Sequence, residues 1–182
     1  MKKLLLSAAL AVGVSTAMTL LPSQQLEASA KSYDMKSSFA QALKKGTLPN
    51  SKGKVGETFS SLHKKAKGTY MNMGDPAYYK AKDEDSYNFD FPPNYLGDYI
   101  PKNATVNSIG RWYNYKISKS SVEKYFGKAY KGYDERGKKV NTYIYKTGKY
   151  YTYVKVNYKS TEVIVGTKMG VCSVTWVDNL YK

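Results

Sequence analysis

Apolar residues recur along this chain at two spacings, three-to-four and two, and the switches between them mark out short helices and strands. Met35, Phe39, Ala42 and Leu43 give one apolar face to a helix predicted over Lys31–Lys45, which Gly46 ends. A polar connector, Thr47 to Gly56, leads to a second short helix over Glu57–Lys67, with Phe59, Leu62 and Ala66 on its buried side. Tyr87, Phe89 and Phe91 alternate with Asn88 and Asp90, the pattern of a strand, and Gly74-Asp75-Pro76 reads as a turn. Asn94 to Gly110 is rich in Pro, Asn and Gly and reads as the connector between two halves.

The second half is the better defined. Ser118 is a good N-cap hydroxyl and Gly127 a natural stop, so a capped helix lies between them, followed by a polar turn. Val140–Lys146 and Tyr150–Tyr158 alternate β-branched and aromatic residues around Thr147-Gly148, which predicts a hairpin. Glu162–Thr167 and Val171–Val177 continue the alternation, giving a four-stranded antiparallel meander with Ile144, Val154 and Val156 on its covered face. The fold class is therefore α+β, an antiparallel sheet packed with short helices. The helix-then-aromatic-strand order of both halves suggests two related units, 31–93 and 111–182.

Met1-Lys2-Lys3, the apolar Leu4–Leu21 and the small residues Ala28-Ser29-Ala30 form the pattern of a cleaved secretory signal over residues 1–30. What remains, 31–182, has the length of one domain, and after cleavage no transmembrane anchor is expected. Cys172 is the only cysteine, so packing without an intrachain disulfide must hold the fold, and its neighbours Val174 and Trp176 place it on a strand as a small apolar residue.

Charge adds a functional direction. The formal net charge is +15, and nearly all the basic excess is Lys, with Arg only at positions 111 and 136. Arg suits bidentate reading of bases and phosphates, whereas Lys is a hydrated point charge. A Lys-driven excess fits diffuse attraction to anionic cell-wall polymer or lipid head groups better than specific nucleic-acid recognition.

No catalytic constellation is recognisable. His63, the only histidine, has lysines for neighbours and no orienting partner. Asp83-Glu84-Asp85 lacks the spacing of a dedicated calcium loop and reads as a solvated turn, and no pairing of Asp83, Asp85 and Asp90 for glycoside hydrolysis is evident. No metal or cofactor is expected. The candidate binding surface is the hairpin face predicted to carry Tyr143, Tyr145, Tyr151, Tyr153 and Lys155, with Lys146 and Lys149 by the turn. Tyr joins a flat apolar ring to a polar tip and suits sugars, peptides and single-stranded polymers. The bland alternative is that these rings form cross-strand pairs that hold the sheet together.

The signal segment, the helix ending in Lys44-Lys45-Gly46-Thr47-Leu48-Pro49, and the run SKSSVEKYFGKAY followed by YIYKTGKYYTYVKV resemble the YjgB-type domain of unknown function found in secreted proteins of Bacillus and relatives. The resemblance covers most of Phe39–Val156 and implies no activity and no functional residues. Paired helix-and-sheet units are also similar, at the level of fold alone, to the small secreted β-lactamase-inhibitor fold. The expectation is a secreted, non-enzymatic binding protein at a Gram-positive surface, meeting anionic wall polymer through Lys and a Tyr face. The alternative is a secreted inhibitor that docks an extracellular enzyme.

Overall fold

The computed structural model describes residues 32–71, 78–82, 84–93, 99–133 and 139–175. The predicted signal segment, the predicted Gly74-Asp75-Pro76 turn and Trp176 lie outside the described residues. In chain order the elements are β1 (Ser32–Tyr33), α1 (Ser37–Lys44), α2 (Phe59–Lys65), β2 (Gly68–Met71), β3 (Tyr78–Ala81), β4 (Ser86–Asp90) and β5 (Thr105–Tyr113). There follow β6 (Lys116–Ile117), α3 (Lys119–Phe126), β7 (Tyr130–Tyr133), β8 (Lys139–Thr147), β9 (Tyr150–Val156), β10 (Thr161–Gly166) and α4 (Lys168–Thr175). Among the described residues no helix is long and apolar enough to cross a membrane.

The class is α+β. Eight strands form one antiparallel sheet in the order β2-β3-β4-β5-β10-β9-β8-β7. Two consecutive meanders, β2 to β5 and β7 to β10, are joined where β5 pairs with β10. A separate parallel pair, β1 with β6, ties the start of the described chain to the segment before α3. The first predicted helix is shorter than its apolar spacing implied, because Ser32 and Tyr33 are extended in that pair. Met35 enters the core ahead of the helix, its backbone N–H donating to Ser121 Oγ at 2.8 Å.

α3 follows the sequence closely. Ser118 Oγ accepts from the Ser121 N–H at 3.1 Å, and Gly127 caps the far end with φ of 74°. The first meander is completed by β5, whose first residues lie in the stretch expected to be a connector, so the proposed boundary at 111 falls inside a strand. The turn expected after Gly127 contains β7.

The largest correction is at the C-terminal end, where 168–175 is helical although Val171–Val177 alternates like a strand. β10 is already paired on both edges, with β5 and β9. The chain leaving it has no edge beside it to join and crosses over the sheet face instead, and β7 takes the place of the expected fourth strand. Thr167 starts the helix, its Oγ1 accepting from the Gly170 N–H at 2.9 Å and its own N–H donating to Asn107 O at 2.8 Å. Asn107 is the extra residue of a β-bulge, opposite the Asn88–Phe89 step of β4. Cys172, half-buried, is therefore on a helix.

Helices cover both faces of the sheet. The larger core unites Phe39, Leu43, Leu62 and Val122 with Tyr87, Ile109, Tyr145, Val154 and Val165. The smaller one sets Val171 of α4 against Ile144, Tyr153 and Ile164. Fully burying one such aliphatic side chain stabilises by about 1.5–3 kcal/mol. α4 approaches so closely that a Cβ on Gly170 would stand 2.5 Å from the Asn107 carbonyl oxygen. Gly170→Ala is expected to force the helix off the bulge and lower stability by about 1–3 kcal/mol, read as a drop in urea midpoint.

Candidate functional site

The tyrosines of the β8–β9 hairpin do not share one face. The turn has two residues, Gly148 (φ 73°) and Lys149, and is closed by Thr147 opposite Tyr150. That register pairs odd positions of β8 with even positions of β9, and directly opposed residues share a face. Tyr143 faces Val154 and Tyr145 faces Thr152, while Tyr153 faces Ile144 and Tyr151 faces Lys146. The expected surface is thus split between the two sides of the sheet, and Ile144 lies on the face opposite Val154 and Val156.

Burial removes two of these rings from any surface role. Tyr145 is 1% exposed, under the helices beside Phe126, and Tyr153 is 6% exposed in the small core against α4. Burial holds both hydroxyls above the usual tyrosine range, which keeps them protonated. Tyr143 is half-buried with Lys119 Nζ 4.7 Å over its ring, and Tyr151 is half-buried beside the small core. These rings are chiefly packing partners, the bland alternative.

Lys146 and Lys149 remain exposed, and the fold adds two further lysines to them. The C-terminal end of α1 abuts the hairpin turn. The Tyr150 ring closes over Gly46, and the Cβ position of Gly148 is 3.7 Å from Lys44 O. Lys44, Lys45, Lys146 and Lys149, all exposed, therefore lie at one end of the molecule, with Lys146 on the face of the hairpin opposite α1. Two of them are steadied by aromatic rings: Lys44 Nζ lies 5.9 Å from the Phe126 centroid and Lys149 Nζ 5.2 Å from that of Tyr150. The ion pairs found among the described residues, Lys65–Glu57, Arg111–Asp85 and Lys119–Glu123, involve none of these four. Lys44 and Lys45 stand 101 or more residues before Lys146 in sequence; only the α1-to-hairpin packing brings them to the same end.

The acidic cluster is not a solvated turn throughout. Asp85 is 0% exposed, its Oδ1 bound by Arg111 Nε at 2.6 Å and its Oδ2 by the Tyr87 hydroxyl at 3.2 Å. Asp90 Oδ1 accepts from Asn107 Nδ2 at 2.8 Å. Among the described residues no group of three or more His, Cys, Asp and Glu side chains could hold a metal ion. His63 is exposed at the end of α2, with Nδ1 3.1 Å from the Tyr79 hydroxyl.

Two features were not anticipated from the sequence. A cleft of about 430 Å³ is walled by Tyr33, Met35, Phe39, Pro49, Tyr115 and Ile117. Tyr33 and Tyr115 meet edge to face, their ring centroids 5.0 Å apart. The second is a row across the opposite side of the sheet, where Trp112 of β5 faces Glu162 of β10, which faces Lys155 of β9. Trp112 is 51% exposed. Burial pushes the Glu162 carboxyl above its usual 4.5, and Lys155 pulls the other way. A carboxyl raised on folding binds more protons in the native state, so its contribution is fully present below pH 4.5 and is lost as pH rises through the folded value. Glu162→Gln is expected to raise the urea midpoint at neutral pH and to flatten its dependence between pH 4 and 7; this is checked by unfolding across a pH series.

An α+β protein with one antiparallel sheet and a lysine-rich end is the class these features define. No protein-family model matches the chain, and no curated protein sequence matches it. A solved structure of a DUF4309 family protein (YjgB) from Bacillus subtilis subsp. subtilis str. 168 is similar to it over 71% of this chain and 93% of that chain. The identity is 14% and the TM-score 0.45. The protein matched is of the same YjgB type as the resemblance carried by the helix and hairpin motifs.

Proposed function

We propose that this chain is a secreted, non-enzymatic binding protein that adheres to anionic polymer of a Gram-positive wall through the end formed by α1 and the β8–β9 turn. The observation that carries the reading is the gathering there of Lys44, Lys45, Lys146 and Lys149, none of them in an ion pair among the described residues. Four ammonium groups at one end attract a phosphate-bearing chain without demanding a fixed pose, as Lys does and Arg does not. The half-buried Tyr151 stands directly opposite Lys146 across the hairpin.

The test is a pull-down of the mature protein on purified walls, with and without teichoic acid, across a salt series. Exposed charges act over only about 10 Å at 0.1 M salt. Binding is expected to need the teichoic acid and to collapse as salt rises. Absence of binding at low salt would end the reading.

A second reading, an inhibitor docking an extracellular enzyme, draws on the pairing of two helix-plus-meander units. α2 and α3 are capped alike, Thr58 accepting from the Ser61 N–H at 3.3 Å as Ser118 does from Ser121. We read the units as diverged copies, analogous in fold to the small β-lactamase inhibitors. A stoichiometric complex that survives high salt would favour this reading.

A further inference from the structure

We propose that the row Trp112–Glu162–Lys155 is a binding platform for a neutral glycan strand, separate from the lysine-rich end. The three side chains sit on β5, β10 and β9, which are adjacent, and each pair is directly opposed, so all three rise from one face. Strands about 4.8 Å apart make the row roughly 10 Å long, the span of two linked sugar rings.

Each group has a part to play against a sugar. Trp112, 51% exposed and paired with β10, offers the flat apolar surface on which the C–H face of a pyranose stacks. Glu162 accepts hydrogen bonds from ring hydroxyls, and Lys155 donates to a hydroxyl or an acetamido oxygen. The half-buried setting of the carboxylate makes such bonds stronger than they are in open water.

Charge decides the occupant. Glu162 and Lys155 offset each other, so this row lacks the positive excess of the rest of the chain, and the carboxylate repels a phosphate polymer. A neutral strand of N-acetylated hexoses meets both conditions, whereas a teichoic acid does not. The choice of wall glycan rests on the wall-binding reading above; the platform itself does not.

The experiment uses the mature chain with Trp176→Phe, so that Trp112 is the sole tryptophan, and titrates it with a soluble N-acetylglucosamine tetramer. Salt of about 0.5 M shortens the reach of the lysines to a few ångströms. A saturable shift in tryptophan emission at or below millimolar probe is expected. Glu162→Gln, which is expected to stabilise the fold, should weaken binding about tenfold through the lost charged hydrogen bond. Trp112→Ala, followed by calorimetry, should abolish it. Absence of any emission shift at millimolar probe would overturn the proposal, as would unaltered affinity in Glu162→Gln. Binding that disappears at high salt would also overturn it. Because the probe carries no phosphate, failure here leaves the teichoic-acid test standing, and the reverse also holds.

Discussion

Arg111→Met is expected to lower the unfolding free energy by about 3–5 kcal/mol, because it strands a buried carboxylate. Asp85 is 0% exposed and the Arg111 side chain 14%, so water cannot replace the guanidinium. The bond at 2.6 Å is one part of a wider network. Arg111 also donates to Pro49 O at 2.8 Å, and the Tyr87 hydroxyl, which donates to Asp85, accepts from the Gly53 N–H at 3.2 Å. The network thus fastens the loop after α1 to the centre of the sheet, and losing it loosens the element that carries Lys44 and Lys45. Arg111→Met combined with Asp85→Leu removes both charges and should recover much of the loss, since a paired apolar replacement leaves no buried ion. Urea unfolding of the two variants measures this. A single variant within about 1 kcal/mol of the parent would mean the pair behaves like an exposed one.

The second large effect is on binding. A lysine close to an anionic surface contributes about 1 kcal/mol. Changing Lys44, Lys45, Lys146 and Lys149 together to Ala should therefore weaken wall binding by about 4 kcal/mol, near a thousandfold. Their exposure means the fold should lose little, the stacking of Lys44 on Phe126 and Lys149 on Tyr150 being worth about 0.5–1 kcal/mol each.

How much of this was legible depended on whether the signal was local. Ser118 and Gly127 delimit α3 because capping is written in a few neighbouring residues. The hairpin was legible from Gly148 and its alternating flanks, yet the faces of its tyrosines were misassigned: alternation within each strand is local, but the parity across the turn depends on the two-residue loop. Val171–Val177 reads as a strand from β-branched residues alone, and only the double pairing of β10 turns the chain into α4. Thr167, three residues before Gly170, was the cap signal that would have marked it. Asp85 looked solvated because its partner Arg111 is 26 residues away. The same distance effect hid the candidate site, since Lys44 and Lys149 meet only after α1 packs on the sheet.

On this proposal a particular end of the molecule, and not net charge alone, holds the polymer. Its most direct test compares the four-lysine variant with a control of equal charge in which Lys64, Lys67, Lys102 and Lys159, exposed and elsewhere, become Ala. Dissociation constants for teichoic-acid-bearing walls at low salt are the readout. Near-parental affinity is expected for the control and near-complete loss for the variant at the α1–hairpin end. Equal weakening of the two would contradict it and leave the lysines as a diffuse charge with no site.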